Sequence, residues 1–259
     1  MQSLREKWAG GATTFGGWLS IPSIVTAETA GRVGFDYVCV DSQHGAIDYA
    51  NVLALVQALS LGESSAVVRV PWNEPGIIGK VLDAGAEGVI VPMVNSRAEA
   101  EAVVRACRYA PVGSRSFGPT VAGMRRKSYV SWAVDNVAVI PMIETVEALG
   151  NLDEILTTPG LDAIYVGPAD LSLSLGLPPG NNDGAAAFDD ALAAIVAACG
   201  RAGVVPGIHA SGPLAERRME QGFRMITVGT DLVALRAALA DDLATAKGAT
   251  PKGSDGAIY

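Results

Sequence analysis

The sequence contains few cysteines, and they are not arranged as a disulfide framework or a zinc site. Its 259 residues include only Cys39, Cys107 and Cys199, which lie far apart without a C-x-x-C pair. An odd number of isolated cysteines favours reduced thiols, which are typical of cytoplasmic proteins. We therefore expect a cytoplasmic protein without structural disulfides.

Basic charge and long apolar runs are also scarce. Nineteen Lys and Arg residues against 27 Asp and Glu residues give a formal net charge of -8. This balance argues against nucleic-acid binding, which needs clustered basic residues, and against attraction to an anionic membrane surface. No uninterrupted apolar run approaches the roughly 20 residues that cross a bilayer, and the N-terminus lacks a signal-peptide core. The expected ligands are small molecules, not nucleic acid or membrane.

Short apolar runs recur along the chain, separated by longer segments with helical periodicity. Continuous hydrophobicity within a run is typical of a strand covered on both faces, as in a parallel sheet. Eight strands are predicted, at 14–20, 37–41, 66–71, 88–93, 137–144, 163–168, 204–209 and 225–230. Helices are predicted at 24–34, 47–61, 75–85, 96–108, 146–157, 185–202, 213–222 and 231–246.

This alternation predicts an α/β fold, a single-domain (β/α)8 TIM barrel over residues 1–247. A doubly wound open sheet is the alternative, but no G-x-G-x-x-G follows the first strand. Residues 109–136 are predicted to be irregular and either functional or interfacial, because they are too long for a plain connection. The polar residues 248–259 are predicted to form a flexible C-terminal tail.

The ends of the predicted strands carry the candidate catalytic groups, because active sites of such barrels lie at the carboxyl ends of the strands. Asp41 ends strand two and His44 follows it, Arg69 lies in strand three, Glu144 ends strand five and Asp170 follows strand six. Two carboxylates on neighbouring strands suit Mg²⁺, Mn²⁺ or Co²⁺, with room for water and substrate. The alternative is structural: Glu144 pairs with Arg69, and Asp170 caps the next turn.

Lysine is absent from these strand ends, and the sequence has neither G-x-S-x-G nor G-x-x-x-x-G-K. A Schiff-base mechanism and a nucleophile elbow are therefore disfavoured. Three kinds of catalytic group remain: a metal as Lewis acid, an arginine that binds an oxyanion or a carboxylate, and a histidine as proton carrier. Such a set is typical of chemistry through an enolate.

Seven motifs occur in order along the chain: WLS (18–20), VDSQHG (40–45), VRVPWNEP (68–75), LDAGAEGVIVPMV (82–94), RYAPVGSRSFGP (108–119), IPMIETVEAL (140–149) and IYVGPADLSLSLG (164–176). Together they resemble the HpcH/HpaI family of divalent-metal-dependent, class II pyruvate aldolases, which includes 4-hydroxy-2-oxoheptanedioate and 2-keto-3-deoxy-sugar-acid aldolases. The resemblance implies reversible cleavage of 4-hydroxy-2-keto acids to pyruvate and an aldehyde through a metal-bound pyruvate enolate. It also implies a trimer of dimers with exchanged C-terminal helices, for which 232–246 is the candidate segment.

The resemblance also implies roles for individual residues. Glu144 and Asp170 would bind the divalent metal, which also chelates the carboxylate and keto oxygens of pyruvate, and Arg69 would steady the enolate oxygen. His44 would belong to the acid/base machinery, with Asp83 as its supporting carboxylate. A metal-bound water, or the His44–Asp83 pair acting through water, would move the protons. Four further residues would frame the pyruvate: Trp18, Gly167, Pro168 and Ala169.

Some positions leave questions open. Gln43 stands where some relatives carry Glu, so any role of that carboxylate is absent. Arg125 and Arg126 lie in the loop where relatives that act on acidic aldehydes can carry a basic residue, so the aldehyde half of the substrate is not determined. Asp41 is a second candidate to orient His44.

Two residues have competing structural interpretations, and two other functions compete with the aldolase. His209, at the end of strand seven, either lines the site or is a hydrogen-bonded structural residue, and Arg115 is expected to brace the long loop. An acyl-CoA thioester lyase of the related citrate-lyase-type branch is the main alternative function. It would need a basic nucleotide groove and usually a longer chain, neither of which is visible. A non-catalytic barrel that only binds a ligand is the second alternative function.

Overall fold

Eight parallel strands form one sheet in this computed structural model, which describes residues 2–249. The strands are β1 (Thr14–Leu19), β2 (Tyr37–Asp41), β3 (Ser65–Arg69), β4 (Gly88–Val91), β5 (Ala138–Pro141), β6 (Ala163–Val166), β7 (Val205–His209) and β8 (Met225–Thr230). Their order is β5-β4-β3-β2-β1-β8-β7-β6, and a parallel bridge between Met142 and Tyr165 joins the two edges. The predicted (β/α)8 barrel is confirmed, and all eight predicted strands are present.

Helices connect the strands and cover the sheet. They are α1 (Leu4–Ala9), α2 (Ile24–Arg32), α3 (Tyr49–Leu59), α4 (Pro75–Asp83), α5 (Arg97–Cys107), α6 (Thr120–Arg125), α7 (Tyr129–Asn136), α8 (Val146–Gly150), α9 (Leu152–Leu156), α10 (Pro168–Ser174), α11 (Ala186–Ala202), α12 (Ala215–Glu220) and α13 (Asp231–Ala246), with a 3-10 turn at Gly212–Leu214. The helix predicted at 146–157 is divided into α8 and α9 at Asn151, which ends one helix and begins the next.

Local sequence signals set several helix ends. Ser96 caps α5 and forms a capping box with Glu99, so two backbone N–H groups that the helix cannot satisfy itself find acceptors. Pro75 occupies the first turn of α4, where no backbone N–H is needed. Gly203 ends α11 with φ 70°, a left-handed backbone conformation that residues with a side chain rarely adopt. These ends agree with the sequence prediction.

Four helices were not apparent in the sequence: α1, α6, α7 and α10. The helices α6 and α7 lie within residues 109–136, which are therefore less irregular than predicted. The helix α1 contributes Leu4 and Trp8 to the apolar cluster inside the barrel, and Trp8 Nε1 donates a hydrogen bond to Thr14 Oγ1 over 3.0 Å. The helix α10 begins directly after β6, so the residues that follow this strand form a helical turn.

Buried residues form two clusters, one inside the barrel and one between the sheet and its helices. Gly16 leaves room inside the barrel for the ring of Tyr37, because a Cβ at that position would lie 2.1 Å from it. Three hydroxyls inside the barrel are paired: Thr227 Oγ1 lies 2.9 Å from Tyr37 Oη and 2.5 Å from Tyr165 Oη. Pairing removes the penalty of burying a polar group alone.

The three cysteines are free and buried, in agreement with the prediction of reduced thiols. Cys39 lies inside the barrel, and burial raises the pKa of Cys107 and of Cys199 to about 12. Such thiols are poor nucleophiles at neutral pH. Between residues 2 and 249, no helix is long and apolar enough to cross a membrane.

The helix α13 has an apolar stripe that the other residues between 2 and 249 do not cover. Four leucines along it are about half exposed, with exposed fractions between 49% and 60%: Leu232, Leu235, Leu239 and Leu243. None of the residues of α13 is buried. The predicted tail at 248–259 lies outside the described residues from 250 onward.

Candidate active site

All but one of the predicted catalytic and metal-binding residues lie at the carboxyl-terminal mouth of the barrel, and the exception is Asp83. We define the mouth as the residues that end or closely follow the strands. Asp41 ends β2 and Arg69 ends β3, where the two residues are partners in the ladder. Glu144 follows β5, and Asp170 lies in the first turn of α10, after β6. The topology thus places both candidate metal ligands and the arginine at the same end of the barrel.

Arg69 forms a buried, two-pronged ion pair with Asp41. Its Nε and Nη2 lie 2.9 and 2.6 Å from the two carboxylate oxygens. Trp18 Nε1 donates to the same carboxylate over 3.2 Å, and the guanidinium carbon lies 5.0 Å from the centroid of the Trp18 ring. Asp41, rather than Glu144, is thus the carboxylate that holds both prongs of the guanidinium, whose orientation is set before any ligand binds.

The charge state of Asp41 follows from this pairing. Burial acts to raise the pKa of the carboxyl, but the hydrogen bonds and charge of Arg69 outweigh it and hold the pKa below its usual value. The Asp41–Arg69 pair is therefore ionised at neutral pH. Its two charges offset each other inside the barrel, where an unpaired charge would be strongly destabilising.

Glu144 is 2% exposed and has one paired and one unpaired carboxylate oxygen. Its Oε1 accepts a hydrogen bond from the Met93 N–H over 2.8 Å, whereas Oε2 has no hydrogen-bond partner within residues 2–249. Burial raises the pKa of Glu144 to about 7, and the nearby negative charge of Asp170 adds to the increase. A buried carboxylate with an open oxygen beside a second carboxylate is a place where a cation lowers the free energy.

Gly167 and the start of α10 form the wall next to that open oxygen. A Cβ at position 167 would lie 2.4 Å from Glu144 Oε2, so the backbone can approach this closely only without a side chain. Pro168 and Ala169 follow as the first residues of α10, and Asp170 is half-buried in its first turn. The partial positive charge of a helix N-terminus favours a carboxylate there.

These features fit a divalent cation that is only partly coordinated by protein. Within residues 2–249, no group of three or more His, Cys, Asp and Glu side chains is arranged to hold a metal by itself. A cation here would have two carboxylates available, those of Glu144 and Asp170. Hard cations such as Mg²⁺ prefer such oxygen ligands and keep several positions for water and substrate.

His44 lies exposed on the turn that follows β2, at the same mouth. The backbone N–H groups of Gln43 and His44 both donate to Asp41 Oδ1, over 3.1 and 3.3 Å. Asp83 is the last residue of α4, which runs from the carboxyl end of β3 toward the amino end of β4, and it pairs with Arg115 over 2.7 Å. Within one chain the structure therefore does not bring Asp83 and His44 together.

Arg115 braces the long connection, as the sequence led us to expect. Its guanidinium carbon lies 4.6 Å from the ring centroid of Tyr109 and 5.3 Å from that of Tyr129. Tyr129 Oη also accepts a hydrogen bond from Arg115. These contacts hold residues 109–136 against the end of α4, on the side of the barrel away from the mouth.

Arg125 and Arg126 lie on that same side of their own chain. Arg126 pairs with Glu87, which directly precedes β4, and its guanidinium carbon lies 3.9 Å from the centroid of the Trp132 ring. Arg125 lies beside Gly85. A contact between either arginine and an aldehyde at the mouth would therefore have to involve a second chain.

His209 is buried at the end of β7 with ring contacts on two sides. It lies 4.9 Å from the Trp18 ring, edge to face, and its Nδ1 is 3.3 Å from Tyr165 Oη. The sequence left two roles open for His209, and these contacts fit the structural one. His209 supports the tryptophan that in turn contacts Arg69 and Asp41.

The sequence did not reveal the residues that orient Glu144. They lie in the PMVNS segment after β4, where Met93 donates its backbone N–H to Glu144 and Asn95 Nδ2 donates to Met93 O over 3.3 Å. Every residue except proline has a backbone N–H, so the amino-acid sequence does not show which residue donates to Glu144. The only available signal was the polar Asn95 at the end of an apolar strand.

Comparison with known proteins gives consistent matches over almost the whole chain. A family model described as HpcH/HpaI aldolase/citrate lyase matches residues 15–238. A protein of Rhizorhabdus wittichii named hydroxypyruvate/pyruvate aldolase is 40% identical over 249 residues, 95% of this chain and 99% of that protein. A protein of Klebsiella pneumoniae named 4-hydroxy-2-oxo-heptane-1,7-dioate aldolase is 37% identical over 240 residues, 90% of this chain and 89% of that protein.

A solved structure shares the fold and a third of the sequence. The crystal structure of an HpcH/HpaI aldolase/citrate lyase family protein from Burkholderia cenocepacia J2315 has a TM-score of 0.87 and 33% sequence identity. The match covers 94% of this chain and 98% of that one.

Proposed function

Because the chain belongs to the HpcH/HpaI aldolase/citrate lyase family, we propose that it reversibly cleaves 4-hydroxy-2-keto acids to pyruvate and an aldehyde with the help of a divalent cation. The predicted reaction class, a carbon–carbon lyase of the aldolase type, is confirmed by relatives at 40% and 37% identity that are named aldolases. The acyl-CoA lyase alternative has less support, since these close relatives are aldolases over nearly their whole length.

The open oxygen of Glu144 is the observation that carries the metal part of the proposal. Glu144 and Asp170 would hold Mg²⁺, Mn²⁺ or Co²⁺ beside Gly167. When bound, the cation supplies positive charge next to the keto oxygen on which negative charge develops during cleavage. The raised pKa of Glu144 supports this assignment, because a cation offsets the unfavourable burial of its charge.

Arg69 supplies the second positive charge at the mouth. Asp41 and the Trp18 ring fix its guanidinium, so it needs little reorganisation when an oxyanion forms. We assign its N–H donors to the enolate oxygen, because a hydrogen bond to that oxygen strengthens as its charge grows, and this difference lowers the barrier. Trp18 and the Gly167-Pro168-Ala169 segment are assigned to frame the pyruvate half of the substrate.

His44 is assigned the proton transfers. In the cleavage direction it removes the proton of the 4-hydroxyl, directly or through water, as the C3–C4 bond breaks and its electron pair moves toward the keto oxygen. A proton then returns to C3 to give pyruvate. Asp83 can support this histidine only from a second chain, since in its own chain it lies away from the mouth with Arg115.

We propose that the protein is a homo-oligomer, a trimer of dimers in which α13 is exchanged. The exposed leucine stripe of α13 supports this, as does an apolar groove of about 320 Å³ beside β1 and β8, lined by Trp18, Leu19, Val33 and Phe35 among others. Burying both would remove apolar surface from water. The free, buried cysteines support a cytoplasmic location.

The proposed function is tested by measuring pyruvate release from a panel of racemic 4-hydroxy-2-keto acids. We expect release with at least one acid, loss of it in EDTA, and recovery when Mg²⁺, Mn²⁺ or Co²⁺ is restored. Activity that persists unchanged in EDTA would exclude the metal mechanism. If none of the acids yields pyruvate, the substrate class is wrong.

A further inference from the structure

The loop after β4 supplies the hydrogen bond that orients Glu144. Met93 N–H donates to Oε1 over 2.8 Å, which leaves Oε2 buried without a hydrogen-bond partner in the described part of the chain. Met93 makes this contact with φ 55°, a left-handed conformation that is uncommon for a residue other than glycine. Such a conformation persists only where neighbouring contacts hold it.

Asn95 makes contacts that hold this loop to the Glu144 segment. Its Nδ2 donates to Met93 O over 3.3 Å, and its Oδ1 accepts a hydrogen bond from Thr145 Oγ1. Its own carbonyl accepts from Asn151 Nδ2 over 2.8 Å. Thr145 directly follows Glu144 in the chain. The Asn95 side chain thus connects Met93, which contacts the Glu144 carboxylate, with Thr145, which is the next residue after Glu144.

We propose that Asn95 is a positioning residue for the cation site: it holds Met93 in its left-handed conformation and thereby keeps Glu144 Oε2 directed to the cation. This inference rests on the proposed role of Glu144 as a metal ligand. Without the Asn95 side chain, Met93 relaxes to a common backbone conformation and its N–H leaves Oε1. The carboxylate then loses its fixed orientation.

A role in loop stability alone leads to a different expectation. Removing Asn95 would then lower the melting temperature of the metal-free protein but leave the cation affinity of the folded protein unchanged. Residues that orient metal ligands instead change the affinity itself, typically by roughly 10- to 100-fold. Direct binding measurements on folded protein separate the two roles.

The test is calorimetric titration of Mn²⁺ into chelator-treated protein, with Asn95→Ala compared with wild type. We expect the Mn²⁺ dissociation constant to increase at least about tenfold, with unchanged circular dichroism. Adding Met93→Gly to Asn95→Ala should recover most of the affinity, because glycine adopts φ near 55° without a side-chain penalty. Such recovery is not expected if Asn95 acts only on stability.

Asn136→Ala is the matched control, since Asn136 Nδ2 also donates to a backbone carbonyl, Trp132 O, over 2.8 Å, but away from the mouth. It should bind Mn²⁺ as wild type does. If Asn95→Ala does not fold, Asn95→Ser takes its place in the same comparison. An unchanged dissociation constant, or no recovery with Met93→Gly, overturns the inference. A wild-type protein that binds no Mn²⁺ overturns the proposed function itself, and the inference with it.

Discussion

At the scale of single residues, the site combines a buried ion pair with a buried carboxylate that lies beside a second carboxylate. Arg69 and Asp41 neutralise each other in a buried pair, whereas Glu144 retains an open oxygen beside Asp170. The first arrangement gives a fixed donor, and the second would suit a cation. Under the proposed function, both stabilise the negative charge that develops on a substrate oxygen.

Replacing Asp41 by Asn should destabilise the protein, because it leaves the guanidinium of Arg69 buried without its counter-charge. We expect a loss of about 3–5 kcal/mol in the free energy of unfolding, measured by urea denaturation at pH 7. The folded-state pKa of Asp41 is lowered, so its contribution is present above the unfolded pKa and is lost as the pH falls through the folded pKa. The difference between wild type and variant should therefore shrink in acid, and a difference that grows in acid would contradict this assignment.

Replacing His44 by Ala should abolish most aldol turnover and slow proton exchange at the pyruvate methyl group. The expected decrease is about 10²- to 10⁴-fold, which is typical for the loss of a general acid/base. Steady-state kinetics and exchange of the methyl protons in deuterated water measure the two effects. Because His44 is exposed, the melting temperature should barely change. Unchanged rates in both experiments would make His44 a residue of the turn only.

Strand-end carboxylates were predictable from the sequence, but their pairing was not. Asp41 and Glu144 are both acidic residues near strand ends, and either could neutralise Arg69. The ladder register places Asp41 directly opposite Arg69, and register is a property of the assembled sheet. The position of Asp83, in contrast, follows from the predicted barrel, because the helix predicted at 75–85 runs back from the carboxyl end of strand three and carries residue 83 away from the mouth.

At the scale of elements, the strands and the longer helices were predictable and the short helices were not. The strands are recognised as continuous apolar runs, and the longer helices show their periodicity over enough residues to be recognised. The helices α1, α6 and α10 are only six or seven residues long, too short for a repeating pattern. This matters for α10, because it is the element that presents Asp170.

The junction between β6 and α10 should tolerate no side chain at position 167. Gly167→Ala places a Cβ only 2.4 Å from Glu144 Oε2 and forces this oxygen to move, so we expect the Mn²⁺ dissociation constant to increase by at least about tenfold. Gly200→Ala is the matched control in the last turn of α11, where an added Cβ meets no atom within 4 Å. That change should stabilise the helix by up to about 1 kcal/mol and leave Mn²⁺ binding unchanged. Equal Mn²⁺ affinity in both variants would exclude the close approach at Gly167 as a feature of the site.

At the scale of the whole molecule, eight strand–helix repeats were enough to predict a closed barrel, and the sheet order confirms it. Composition does not predict the proposed association of chains, which at the sequence level is implied only by the family resemblance. Two features of the fold support it, namely the leucine stripe of α13 and the position of Asp83 away from the mouth. Both are explained if the working unit contains more than one chain.

A charge in the leucine stripe should break the assembly. We expect Leu239→Lys to lower the mass measured by analytical ultracentrifugation from that of an oligomer toward the 26.6 kDa of one chain. Thr245→Lys is the control, because Thr245 is exposed on the same helix outside the stripe. A wild-type protein that sediments as a monomer would contradict the proposed exchange of α13.

Equilibrium dialysis of Mn²⁺ against wild type and Glu144→Ala tests the central claim most directly, because it measures the cation site without depending on the substrate. The expected result is about one Mn²⁺ per wild-type chain and an affinity decrease of at least about 100-fold in the variant, since one of the two proposed carboxylate ligands is removed. A folded Glu144→Ala variant that binds Mn²⁺ as tightly as wild type would contradict it.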